Sequence, residues 1–137
     1  MREKRSLIFA GVEIVHAVSL MLIVKIVAPV CSGMVETAAG KQIPMKCHYT
    51  SVALLFFGIL LLVNGILCAV RKELLICGGM ASVISIVAVL TLSSSVGIGI
   101  CMNPEMACNY TAPFVKILGA IGIIIGIVSV YVGIHKK

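Results

Sequence analysis

Six residues, Met45-Lys46-Cys47-His48-Tyr49-Thr50, carry most of the chemistry available to this sequence. A looser copy follows as Met106-Ala107-Cys108-Asn109-Tyr110-Thr111. Each copy has a second cysteine upstream, Cys31 for the first and Cys101 for the second. Thioether, thiolate and imidazole donors together suit a soft ion such as Cu(I). Met45, Cys47, His48, Met102, Met106 and Cys108 form the candidate ligand set, with Met34 nearby in the chain and haem as the other group such donors could hold. Methionine is also an ordinary apolar filler.

The structural reading of the cysteines competes with the metal. Outside the cytoplasm, paired cysteines usually become disulfides. The repeat makes Cys31–Cys47 and Cys101–Cys108 the natural pairs. Cys31–Cys101 with Cys47–Cys108, and Cys31–Cys108 with Cys47–Cys101, remain open, because four cysteines allow three connectivities. A disulfide in either loop would stabilise it by about 2–4 kcal/mol and would remove the thiolates from any metal. A thiol–disulfide redox protein is a further alternative. It needs a reactive cysteine, most often in Cys-x-x-Cys, and neither pair has that spacing.

The elements that position these residues follow from hydropathy. Of 137 residues, 61% are hydrophobic and 12% charged, against roughly half and a quarter in soluble domains. The mean hydropathy is +1.19. The apolar residues fall in four runs, each long enough to cross a core of about 30 Å, which takes roughly 20 helical residues. The expected architecture is an all-α integral membrane domain over 1–137, with helices at about 6–30, 50–70, 74–100 and 112–134. Cysteine-containing loops fill 31–49 and 101–111, and the first is expected to have little regular structure. The basic start and first run resemble a signal peptide, but the run is too long, and Glu13, His16 and Lys25 interrupt it. It reads as an uncleaved helix that Pro29 helps to stop.

Seven of the eleven Lys and Arg residues lie at the N-terminus, in the Arg71-Lys72-Glu73 turn or at the C-terminus. The positive-inside rule then puts both termini in the cytoplasm and both cysteine loops outside the plasma (inner) membrane. The net charge of +6 is thus a topology signal, and no nucleic-acid partner is expected. Aligning Cys47 with Cys108 lays the second helix over the fourth, so the chain reads as two tandem hairpins. Thr50 and Thr111 are expected to cap their helices, with Tyr49 and Tyr110 in the interface belt. Asn109-Tyr110-Thr111 also fits a glycosylation acceptor, and a place beside the helix cap is the simpler reading of Asn109. Lys25 and Lys116 can snorkel to the surface.

Within the membrane, Glu13 and His16 share a helix face and Asn64 lies at a similar depth, a polar cluster of the kind that is a functional suspect by default. An interhelical polar clamp accounts for it without a proton or ion relay. Cys68 and Cys77 read as reduced packing residues. Gly119, Gly122 and Gly126 form a small-residue packing face, within this chain or against a partner helix.

The four-helix layout, Met45-Lys46-Cys47-His48-Tyr49-Thr50, and Cys101-Met102 followed by Met106-Ala107-Cys108 resemble a small bacterial membrane-protein family classed as a domain of unknown function. The resemblance covers nearly the whole chain. Its members are similar in being short four-helix proteins often encoded beside ABC-type systems for lipoprotein release and macrolide export. That implies an accessory role, with an ABC-type permease and membrane lipids as partners. Asn109 stands where the first copy has His48, so any role of that histidine belongs to one copy. The resulting expectation is a non-enzymatic accessory or interaction subunit of a membrane complex. It has no catalytic residues and no obligatory cofactor, and disulfides brace its outer loops. The alternatives are an external Cu(I) or haem site and a membrane redox protein.

Overall fold

The computed structural model describes residues 2–31 and 33–135. Lys136, Lys137 and the Arg2 side chain, which enter the orientation argument, lie outside the described residues. Four helices dominate: α1 (Arg2–Leu22), α2 (Lys46–Arg71), α3 (Leu74–Thr91) and α4 (Ala107–Ile134). A π-helical turn, Ile23–Val27, prolongs α1. All four helices are long and apolar enough to cross a membrane. This is therefore a multi-pass membrane protein. At about 1.5 Å per residue, even the 18 residues of α3 reach roughly 27 Å.

α1 packs chiefly on α2, and α3 on α4; contacts of α2 with α3 and of α1 with α4 join the two hairpins. Lipid gives helices no hydrophobic reason to associate, so close van der Waals fit must do it. Small residues supply that fit. In the first hairpin Gly58 lies over Ala17 and Met21, and Gly65 over Ala10 and Ile14. In the second, Gly78 and Gly126 meet face to face, and a Cβ on either would stand 2.7 Å from the other's carbonyl oxygen. Gly119 lies against Val89, and Gly122 against Ser85 and His16. The three α4 glycines thus pack on α3 and α1 of this chain. The buried apolar core runs along the bundle axis, with Ala17, Leu20, Val24, Leu54, Leu61, Ala88 and Val115 as members. Large apolar side chains such as Ile8, Val15, Phe56, Val83, Ile117 and Ile127 face outward.

At the end of the bundle opposite the cysteine loops, α2 turns into α3 through Lys72, whose φ of 58° is left-handed. The Lys72 ammonium pairs with Glu3 at 2.5 Å, an exposed contact that ties the start of α1 to this turn.

Three helix boundaries and the long loop differ from the sequence expectation. The first is α4, which begins at Ala107, five residues before the expected 112, because an extended Met106 caps it there. α3 ends at Thr91, nine residues before the apolar run does. Beyond it, the Gly97 N–H donates to Ser93 and the Gly99 N–H to Thr91, with Gly99 at a φ of +79°. A Cβ at Gly97 would collide with the Thr91 backbone. The chain folds back on the helix end here, so the apolar residues Val96, Ile98 and Ile100 belong to a loop. α2 starts earlier than expected, at Lys46, with Met45 as its extended N-cap. The long loop is not irregular throughout: Met34–Glu36 (β1) and Gln42–Pro44 (β2) pair antiparallel. Gly40, at a φ of +74°, and the Thr37 hydroxyl, which donates to the Lys41 carbonyl, close the turn between them.

Candidate functional site

The two motif copies meet at one end of the bundle. Because α2 and α4 begin at Lys46 and Ala107, both motif cysteines fall in first helical turns and point inward, 0% and 1% exposed for Cys47 and Cys108. Cys31 and Cys101 are half-buried at the rim. The Sγ atoms of Cys31, Cys47 and Cys108 lie within 4.8 Å of one another. Cys101 stands outside that trio, and its thiol meets Cys47. The Met106 thioether is 3.8 Å from the Cys31 sulfur. Among the described residues no S–S bond joins any of the six cysteines.

Two threonines fix this arrangement, and neither is a cap. Met45 and Met106 take the N-cap positions, without a side-chain hydrogen bond. The Thr50 hydroxyl donates to the Gly99 carbonyl at 2.6 Å, and the Thr111 hydroxyl to the Ala28 carbonyl, also at 2.6 Å. Each threonine therefore reaches from the second helix of its own repeat to the chain just after the first helix of the other, Ala28 following the π turn and Gly99 folding back on Thr91. Ala28 presents its carbonyl there because the π turn has just ended, its own N–H having bonded to Ile23. Directly beneath the sulfurs is a small cavity lined by Cys47 and Cys108, Thr50 and Thr111, and Leu54 and Val115. Each of these pairs superposes under the alignment of the two motifs, so the repeat is a structural near-symmetry at this end.

The other candidate ligands scatter. Met102 is 98% exposed. His48 is exposed on the first turn of α2, with its ring edge-on to Tyr49 at 5.8 Å. Met45 packs over Gly33. Asn109 is not merely beside a cap: its side-chain amide donates to the Cys101 and Asn103 carbonyls and holds the loop against α4.

The intramembrane cluster forms in part. The Asn64 side-chain amide donates to Glu13 Oε1 at 2.5 Å and to the Cys77 carbonyl at 3.0 Å. Glu13 thus turns to Asn64, while the His16 ring lies over Gly122, close to Ser85. The Ser85 hydroxyl is buried with no partner among the described residues. Cys68 and Cys77 are buried with Ala10, and the Ser6 hydroxyl donates to the Cys68 carbonyl. Sequence reasoning missed Ser6, Ser85 and the Gly58 and Gly65 contacts. A seven-residue glycine spacing read against the alanines of α1 would have shown the last.

Residues 13–132 match the profile of a domain of unknown function, DUF4418. The chain belongs to that family. No curated protein and no solved structure matches it. For this DUF4418 member, function must therefore be argued from the arrangement just described.

Proposed function

We propose that this chain is a non-enzymatic accessory subunit of a membrane complex, of the kind that serves an ABC-type transport system. It would sit in the plasma (inner) membrane with both termini cytoplasmic, the orientation its Lys and Arg distribution favours. The carrying observation is the surface of the cysteine end. Met34, Val35 and Ile43 of the hairpin and Val96, Ile98 and Met102 of the second loop are all exposed there. An apolar surface of this sort, outside the hydrocarbon span, marks a contact site for another molecule. The bundle beneath it is filled by side chains along its axis, which argues for contact over conduction.

The test is co-purification of the native complex in mild detergent, with and without Ile43→Asp and Met102→Asp. The expected result is one or more further membrane subunits, lost in the variants while helical circular dichroism is kept. A protein that runs alone, or only with itself, refutes the proposal.

A second reading is favoured by the sulfur trio. In the reduced protein, Cys31, Cys47 and Cys108 with the Met106 thioether form a donor set that suits Cu(I). Here Cys31 takes the place of Met45, His48 and Met102 in the ligand set suggested by the motif. Metal analysis combined with thiol counting on anaerobically purified protein tests it. Stoichiometric copper that disappears with Cys47→Ser supports it, and metal-free protein after loading with Cu(I) refutes it.

A further inference from the structure

The geometry points to disulfides that cross between the repeats, Cys31 with Cys108 and Cys47 with Cys101, and not to one within each loop. The inference rests on the reading above that the cysteine end faces outside, where thiols are oxidised.

Three observations carry it. The Thr111–Ala28 hydrogen bond clamps the start of α4 to the end of α1. Cys108 lies three residues before that threonine and Cys31 three residues after that alanine, so the clamp delivers one to the other. The Thr50–Gly99 bond does the same for Cys47 and Cys101. Second, Cys101 stands outside the trio and the thiol it meets is that of Cys47, which Cys108 also contacts, so Cys47 is the partner within reach of Cys101. Once Cys47 is taken by Cys101, the remaining two are Cys31 and Cys108, which lie within 4.8 Å of each other. Third, each crossed pair joins a half-buried rim cysteine to a fully buried one, a pattern that disfavours Cys31–Cys101 with Cys47–Cys108, while the two clamps decide against pairs within a loop.

The third point gives the order of events. The rim thiolate, Cys31 or Cys101, attacks the disulfide of an oxidised dithiol–disulfide exchange protein and expels one of its sulfurs as a thiolate. The buried thiolate then attacks the rim sulfur, forms the intramolecular S–S bond and expels the second thiolate. Per pair, two thiols lose two electrons and two protons, and the donor leaves as a dithiol.

The test is disulfide mapping on protein alkylated with N-ethylmaleimide as the membranes are dissolved in dodecyl sulfate, so that buried thiols react, and digested without reduction. Cleavage at Lys41 and Lys46 separates Cys31 from Cys47, and cleavage at Glu105 separates Cys101 from Cys108. The expected products are Cys31–Cys108 and Cys47–Cys101 linked peptides, with Cys68 and Cys77 alkylated. A pair of double variants gives an independent readout. Cys31→Ser/Cys108→Ser should expose no additional alkylatable thiol, whereas Cys31→Ser/Cys47→Ser should leave both Cys101 and Cys108 reactive. Links within each loop, or a Cys47–Cys108 link, overturn the pairing and leave the accessory role standing. Six alkylated thiols overturn the pairing and also remove the disulfide brace from that role. Failure to co-purify a partner touches the accessory role alone.

Discussion

Replacing Asn64 with Leu separates a structural clamp from a proton or ion relay at the Glu13 site. The side-chain amide of Asn64 spans two helices, donating at 2.5 Å to Glu13 of α1 and at 3.0 Å to the Cys77 carbonyl of α3. Interhelical hydrogen bonds in membrane proteins average about 0.6 kcal/mol and reach roughly 1.7. Two of them place the cost of Asn64→Leu at about 1–3 kcal/mol, roughly a 5- to 150-fold fall in the folded-to-unfolded ratio. Glu13→Gln keeps a carbonyl oxygen for Asn64 to donate to, so a clamp predicts a change within about 0.5 kcal/mol. The chain has no tryptophan. Unfolding is therefore best followed by far-ultraviolet circular dichroism as dodecyl sulfate is titrated into dodecyl maltoside micelles. If Glu13→Gln costs as much as Asn64→Leu, the clamp is refuted and the carboxyl itself is what the fold holds there.

Other expectations follow from the same contacts. Gly126→Ala puts a methyl group against the Gly78 carbonyl and Ser82. Because backbone cannot yield as a side-chain tip does, the substitution should cost about 1–3 kcal/mol in the same titration. Thr50→Val and Thr111→Val each remove one buried cross-repeat hydrogen bond. Each should cost roughly 0.6–1.7 kcal/mol and speed amide exchange around Gly99 or Ala28 respectively. Met102→Ser alters a side chain that is 98% exposed, so stability should stay within about 0.5 kcal/mol while any partner affinity falls.

Much of the fold was legible because the membrane simplifies the code: four apolar runs separated by polar turns give four helices. The boundaries were harder where apolarity and helicity part company. Val96, Ile98 and Ile100 look like helix, yet Gly97 and Gly99 fold the chain back on Thr91. Lys46 and His48 look like loop, yet an extended Met45 lets α2 begin beneath them. At the site, the motif cysteines and Met106 could be picked out from the sequence. Met45, His48 and Met102 stand near them in sequence but not in space, since helical geometry and an exposed loop carry them away from the sulfurs. The threonines were assigned to their own helices, since capping is a local rule. Their real partners lie 49 and 83 residues away, and no local pattern encodes a contact made across a near-symmetry axis.

The exchange of hydrogen bonds between repeats also imposes a timetable on synthesis. Ala28 leaves the ribosome early, but its donor Thr111 follows 83 residues later. At about 5–20 residues per second, that carbonyl waits roughly 4 to 17 seconds for its partner. For most of that interval Cys31 and Cys47 have only each other as neighbours from the motif copies, because Cys101 and Cys108 are made only near its end, within ten residues of Thr111. The first hairpin must therefore enter the membrane unlatched, and the cysteine end closes only when the last helix arrives.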